Sequence, residues 1–209
     1  MNPVVFFDSI TLLPPLDQIY SRLGYRKNLT QMNPSQKEEI EGHINKALSH
    51  IQLKGAALRL DIDKISPPKI ILKGGFSFSS RYLSDSLKNS VEILLMAATA
   101  GKKIIKEISK KSASDHLTLG VIFDAVASEM TDAALGWIMD YFNQMIKREN
   151  KQVSKKRFSA GYGDFELANQ KMIYDLLDLK TLDVKLNKNF ILIPEKSVTA
   201  VAGIMKLDS

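Results

Sequence analysis

A chain of 209 residues with 44% hydrophobic and 25% charged side chains can bury one substantial core, and that balance excludes wholesale disorder. It has no cysteine, which excludes disulfides, thiolate metal sites, iron–sulfur clusters and a cysteine nucleophile, and fits a reducing compartment. A formal charge of +6 reads most simply as a solvated basic surface, with nucleic acid or an acidic protein as the alternative partner.

At the N-terminus, Met1-Asn2-Pro3-Val4-Val5-Phe6-Phe7-Asp8 has neither a basic region nor a long apolar run, so no signal peptide is expected. Leu16 to Leu23 carries apolar residues at helical spacing, with Gly24 as its stop. Asn33-Pro34 reads as an N-cap followed by proline at the first helical position, with Gln36 or Glu38 completing a capping box. Ile40, Ile44, Ala47, Leu48 and Ile51 form the apolar stripe of that second helix.

From Gly55 the period changes. Ala57 to Ile62 alternates as a half-buried strand does, and Ile70-Ile71-Leu72 and Phe76-Ser77-Phe78 flank a Lys73-Gly74-Gly75 turn. A short helix is expected over 80–87, a central strand over 91–98, and a helix from Ala100-Gly101 through Ile108. The longest helix is expected from about Asp115 to Lys147, broken near Gly120 or Gly136, because Leu119, Ile122, Val126, Met130, Ala133, Trp137, Tyr141 and Met145 recur at three- and four-residue steps. The last third reads as a loop, a helix over about 165–177, and an antiparallel pair, 190–193 with 198–205, turned at Pro194-Glu195-Lys196-Ser197. Strands and helices intersperse without regular alternation. The expected class is α+β, a twisted antiparallel sheet flanked by helices, in a single domain over 1–209.

No apolar stretch reaches the roughly 18 residues a membrane span needs, so no membrane association and a cytoplasmic location are expected. The dense basic runs, Lys102-Lys103…Lys110-Lys111 and Lys147-Arg148…Lys155-Lys156-Arg157, are not interleaved with aromatics, so no nucleic-acid partner is expected. His43 and His50 stand seven apart, too far for a metal pair one helical turn apart, and no carboxylate set converges on them or on His116; no metal site is expected. Dinucleotide-binding, phosphate-loop and hydrolase-elbow glycine motifs are all absent, and no catalytic residue is assigned.

What remains is Arg157-Phe158-Ser159-Ala160-Gly161-Tyr162-Gly163-Asp164. Its glycines permit positive φ or close approach, Arg157 offers a rigid fork for a carboxylate, Tyr162 a ring face and hydroxyl, and Asp164 an N-cap for a helix starting at Phe165. A ligand with a carboxylate, a cation and a flat base would use all of them. On spacing alone, an ordinary capped loop is the simpler reading.

The turn, followed by a helix and then Ile193-Pro194-Glu195-Lys196-Ser197-Val198-Thr199-Ala200, resembles the activation domain of cobalamin-dependent methionine synthase. That family's signature is an Arg-Pro-x-Pro-Gly-Tyr or Arg-x-Ser-Pro-Gly-Tyr-Gly-Asp turn with a later Pro-x-x-Ser-Val-Ser segment. Leu23-Gly24-Tyr25-Arg26, Ala97 to Gly101, and Phe123 to Ser128 with Asp132 agree more loosely, so the resemblance spans nearly the whole chain. It implies S-adenosylmethionine binding, in the service of reactivating a synthase whose cobalamin has oxidised. By position it implies Arg157 on the ligand's carboxylate, backbone contacts from Ser159, Ala160 and Gly161, and Tyr162 lining the site. Asp132 stands where the family has a glutamate, facing the sulfonium or ribose; a solvated or core-facing helix aspartate fits that position equally.

The chain also departs from the family. Ala160 replaces a proline, Leu186-Asn187-Lys188-Asn189 replaces a Leu-Thr-Glu-Ser, and the sequence stops at Ser209 where synthases continue with further ligand contacts. The Asp-x-His-x-x-Gly cobalamin motif is absent, so the resemblance implies that cobalamin is held by a partner. The expected partners are a separately encoded synthase catalytic subunit and a flavodoxin-like or ferredoxin-like electron donor. The expected role is an accessory reactivation subunit rather than a self-contained enzyme, with a non-catalytic regulatory module of a corrinoid methyl-transfer system as the alternative.

Overall fold

The computed structural model describes residues 3–26, 29–113 and 117–207. Its centre is a seven-stranded antiparallel sheet, α+β in class as the sequence implies. The strands are β1 (Val5–Phe7), β2 (Lys54–Ser66), β3 (Lys69–Leu72), β4 (Phe76–Ser79), β5 (Glu92–Thr99), β6 (Lys151–Phe158) and, after a short β7 (Lys185–Leu186) and β8 (Leu192–Ile193) pair, β9 (Ser197–Lys206). Their order is β4-β3-β2-β5-β9-β6, with β1 paired to the first part of β2.

The helices are α1 (Leu16–Arg22), α2 (Pro34–Leu48), α3 (Arg81–Leu87), α4 (Lys102–Ser112), α5 (Leu117–Ile146) and α6 (Asn169–Leu176). The cap chemistry acts as its sequence implies. Asn33 accepts from the Gln36 N–H at 2.8 Å while the Gln36 side chain accepts from the Asn33 N–H at 3.1 Å, which starts α2. Ser80 caps α3 by accepting from the Leu83 N–H at 3.0 Å.

Strand β5 is buried along its whole length, and its alternation divides the core. Leu94, Met96 and Ala98 join Ala200, Ala202 and Ile204 of β9 beneath α5, which supplies Phe123, Val126, Ala134 and Ile138. Ile93, Leu95 and Ala97 face the other way with Val201, toward Leu83 and Leu87 of α3, Ile173 of α6, and Phe165. Both sheet faces are therefore apolar and covered, the condition under which a strand reads as an unbroken hydrophobic run.

Glycine 55 sets how closely α5 approaches the sheet. A Cβ there would lie 2.8 Å from Ile138 Cδ1 and 3.0 Å from the Ala97 carbonyl oxygen. Gly55→Ala should cost about 1–2 kcal/mol through overpacking, read as a lower urea midpoint at unchanged slope. A midpoint equal to wild type would show that α5 rides freely on the sheet.

Four expectations are corrected. Helix α5 runs unbroken through Gly120 and Gly136; its buried row on the sheet outweighs the roughly 1 kcal/mol each helical glycine costs. Asp115 and His116 lie outside the described residues. The segment read as loop before the Arg157 turn is edge strand β6, hidden by its Lys155-Lys156-Arg157 run, a charge pattern typical of sheet edges. The helix expected over 165–177 begins only at Asn169, after a series of tight turns. Finally, 190–193 does not form a hairpin with 198–205. β8 pairs with β7, while β9 pairs with β5 and β6, because Ile193-Pro194 is a bend leading into the central sheet.

Candidate functional site

The sheet opens between β6 and β9, and the site is there. Strand β6 pairs with β9 only as far as Phe158, opposite Val201, and then leaves the sheet at Ser159. Strand β9 continues to Ser197, paired on that stretch only with β5. The departing chain, the start of α6, the segment before β9 and the middle of α5 enclose a cleft of about 580 Å³.

The register splits the cleft between the two sheet faces. Arg157 is opposite Ala202, so its side chain lies on the α5 face, where Nη2 donates to Asp132 Oδ1 at 2.6 Å and Nη1 lies 3.9 Å from Met139 Sδ. Phe158, opposite Val201, lies on the α6 face. There Gln170 of α6, 6% exposed, accepts a 2.8 Å hydrogen bond from the Thr199 hydroxyl. Apolar side chains of Leu167, Phe190, Ile191 and Leu192 complete the walls, and Glu195 stands at the rim.

The turn keeps its shape by local bonds rather than by a proline. The Gly161 N–H donates to the Phe165 carbonyl at 2.7 Å, and the Tyr162 N–H donates to the Ser159 carbonyl at 3.3 Å. Gly161 has φ +95°, a conformation that glycine adopts without a Cβ penalty. Phe165 anchors the loop from below, buried edge-to-face against Phe78 at 5.3 Å.

Of the residues singled out from sequence, Arg157, Asp132, Ser159, Ala160 and Tyr162 all line the cleft. Gly161 gives the turn its shape, its N–H being engaged within the turn. Tyr162 is 73% exposed and flanks the opening. Arg157 and Asp132 are brought together as an ion pair, with Nη1 against Met139 Sδ and Nε without a partner among the described residues.

Asp164 does not cap a helix of its own. It reaches across to α3, accepting from the Ser80 hydroxyl at 2.6 Å and from the Arg81 N–H at 2.6 Å. The Ser80 bond first, then the backbone N–H groups of Arg81 and Tyr82, hold its carboxyl below the usual range. A depressed acid stabilises above its unfolded pKa, about 3.9, and the contribution is lost as pH falls through the lower folded value. Asp164→Ala should therefore speed amide exchange over 159–168 at neutral pH, and wild type should approach the variant as the solution is acidified. Equal exchange at neutral pH would remove Asp164 as the tether.

One face of α5 leads up to the cleft, which it reaches at Asp132. Asp124 and Ser128 hold Lys196 at 2.7 and 2.9 Å, Glu129 pairs with Arg22 at 2.5 Å, and Asp132, one turn further, holds Arg157. The loosely matching 123–132 segment is thereby tied to both specific segments, 157–164 and 193–200. Sequence reasoning assigned no role to Gln170, Thr199, Phe190 or Glu195. Gln170 carried a usable signal: it sits three and four residues before Ile173 and Tyr174, on the buried side of α6. Phe190 carried none, because its position depends on a loop with φ +60° at that residue. Among the described residues no metal-binding cluster occurs and no helix is long and apolar enough to cross a membrane.

A solved structure of the MetH reactivation domain bound to AdoHcy superimposes with a TM-score of 0.68 at 15% sequence identity, over 99% of this chain and 79% of that one. The chain shares its fold with that reactivation domain. No protein-family model and no curated protein matches the sequence.

Proposed function

We propose that this chain binds S-adenosylmethionine in the β6–β9 cleft and supports reductive methylation of cobalamin carried by a separately encoded methionine synthase, with one electron supplied by a flavodoxin-like or ferredoxin-like donor. The carrying observation is the cleft itself: a partly free guanidinium on one side, a buried amide on the other, and an apolar slot between, in the fold of a domain that was solved with AdoHcy.

The residues present fit the ligand. Arg157 keeps its Nε–H and the second Nη2 hydrogen for a carboxylate, while Asp132 holds Nη2 from the other side. Asp132 and Glu195 bring negative charge to the cleft lining, which suits a cationic sulfonium. The apolar walls suit a flat ring and exclude water from it. S-adenosylmethionine supplies an activated methyl on its sulfonium. In this reading the chain's own share is binding and orientation of that methyl by the residues that line the cleft. A partner belongs to the proposal because the sequence carries no Asp-x-His-x-x-Gly cobalamin motif.

Calorimetric titration with S-adenosylmethionine and S-adenosylhomocysteine tests the reading. Saturable binding of both at a single site is the expected result. Failure to bind either, alone or with the synthase, would overturn it.

A further inference from the structure

The end of β9 carries polar groups that the protein itself leaves unused. The Lys196 carbonyl accepts from the Ala100 N–H at 2.8 Å and the Ile204 carbonyl from the Val91 N–H at 2.8 Å, both on the β5 side. Even-numbered residues of β9 thus turn their backbone groups toward β5, and odd-numbered ones toward β6. Since β6 stops opposite Val201, the N–H and C=O of Thr199 face the cleft, with no backbone partner among the described residues.

Beside them stands Gln170. Its Oε1 accepts from the Thr199 hydroxyl at 2.8 Å, and its Nε2 has no partner among the described residues. Gln170 is a buried residue set in an apolar wall of the cleft, where an amide donor is best satisfied by a group that accepts from it. Thr199 and Gln170 together present two donors and an acceptor at one edge of a slot shaped for a flat ring. An aminopurine offers the complement: ring nitrogens that accept and an exocyclic amine that donates.

Resting on the S-adenosylmethionine reading above, we infer that Gln170 is a specificity-determining residue: with the open edge of β9 at Thr199, it reads the adenine edge of the ligand. Thr199 is a positioning residue, because its hydroxyl holds the Gln170 amide against the open edge of β9. A 6-oxo base places a donor and an acceptor where adenine has the reverse, so it leaves buried groups unpaired and is rejected.

The test titrates S-adenosylhomocysteine and its 6-oxo counterpart, S-inosylhomocysteine, against wild type, Gln170→Met, Thr199→Val and Thr199→Ser. Wild type should prefer the adenosyl compound by about tenfold or more. Gln170→Met, nearly isosteric and lacking the donor, should lose about tenfold in affinity and most of that preference. Thr199→Val should lose the preference with a smaller loss of affinity, and Thr199→Ser should restore it; that pair carries the comparison should Gln170→Met fail to fold. Equal affinity and preference in wild type, Gln170→Met and Thr199→Val would overturn the assignment while leaving the ligand reading intact. No binding of the adenosyl compound by wild type would instead remove the reading on which the assignment rests, and the assignment with it.

Discussion

Arg157→Met should weaken binding of S-adenosylhomocysteine by about 1.5–3 kcal/mol, the range for losing a charge-assisted hydrogen bond, or roughly 10- to 150-fold in Kd. Methionine keeps much of the apolar stem, so packing against Met139 changes little while the fork disappears. The variant also strands Asp132, and that effect has to be separated from loss of a ligand contact. Asp132→Asn does so, because it breaks the same ion pair but leaves the guanidinium. With side chains 27% and 58% exposed, that pair should contribute no more than about 1 kcal/mol. Asp132→Asn should therefore bind S-adenosylhomocysteine within about 1 kcal/mol of wild type. Equal losses in the two variants would mean that the ion pair shapes the cleft and that Arg157 does not touch the ligand.

The legibility of this fold followed the range of the interactions. Elements fixed by neighbouring residues, such as the Asn33-Pro34-Gln36 cap, the Gly74-Gly75 turn and the largely apolar β5, are found where the sequence puts them. Those decided by partners far along the chain are not. Strand β6 has the composition of a basic loop and becomes a strand only because β9 offers an edge, and β9 itself pairs with β5 rather than with the nearer 190–193 segment. The same division runs through the site. The 157–164 turn is a local motif and stands out on its glycines and Arg157. The pairing of Arg157 with Asp132 crosses 25 residues, and that of Thr199 with Gln170 crosses 29. The cleft exists because β6 stops four residues short of the end of β9, a mismatch in pairing length that no local pattern records.

The same sheet stores its largest electrostatic liability at the other end. Glu92 is 4% exposed on β5, and it is tolerated because Arg59 of β2 donates to it from Nε at 2.8 Å and Lys151 of β6 from Nζ at 2.6 Å. Both cations also hold Glu149, at 2.6 and 2.7 Å, so two carboxylates and two cations tie together the strands on either side of β5 and β9. Arg59→Met leaves two carboxylates to one lysine, with the buried one short of a donor. Removing one partner of a buried pair costs about 3–5 kcal/mol, and the remaining Lys151 places this case near the lower end, about 3 kcal/mol. The bonds from Arg59 first, then Lys151, pull the Glu149 carboxyl down to about 2 from an ordinary value of 4.5. Because the folded value is the lower one, the stabilisation is full above about pH 4.5 and drains away as pH falls toward 2. Urea midpoints should therefore fall steeply for wild type across that window and more shallowly for Glu149→Gln, whose side chain cannot titrate. Wild type and Glu149→Gln losing stability in parallel, or Arg59→Met unfolding at the wild-type midpoint, would show that the four charges merely sit together at the surface and do not clamp β2 to β6.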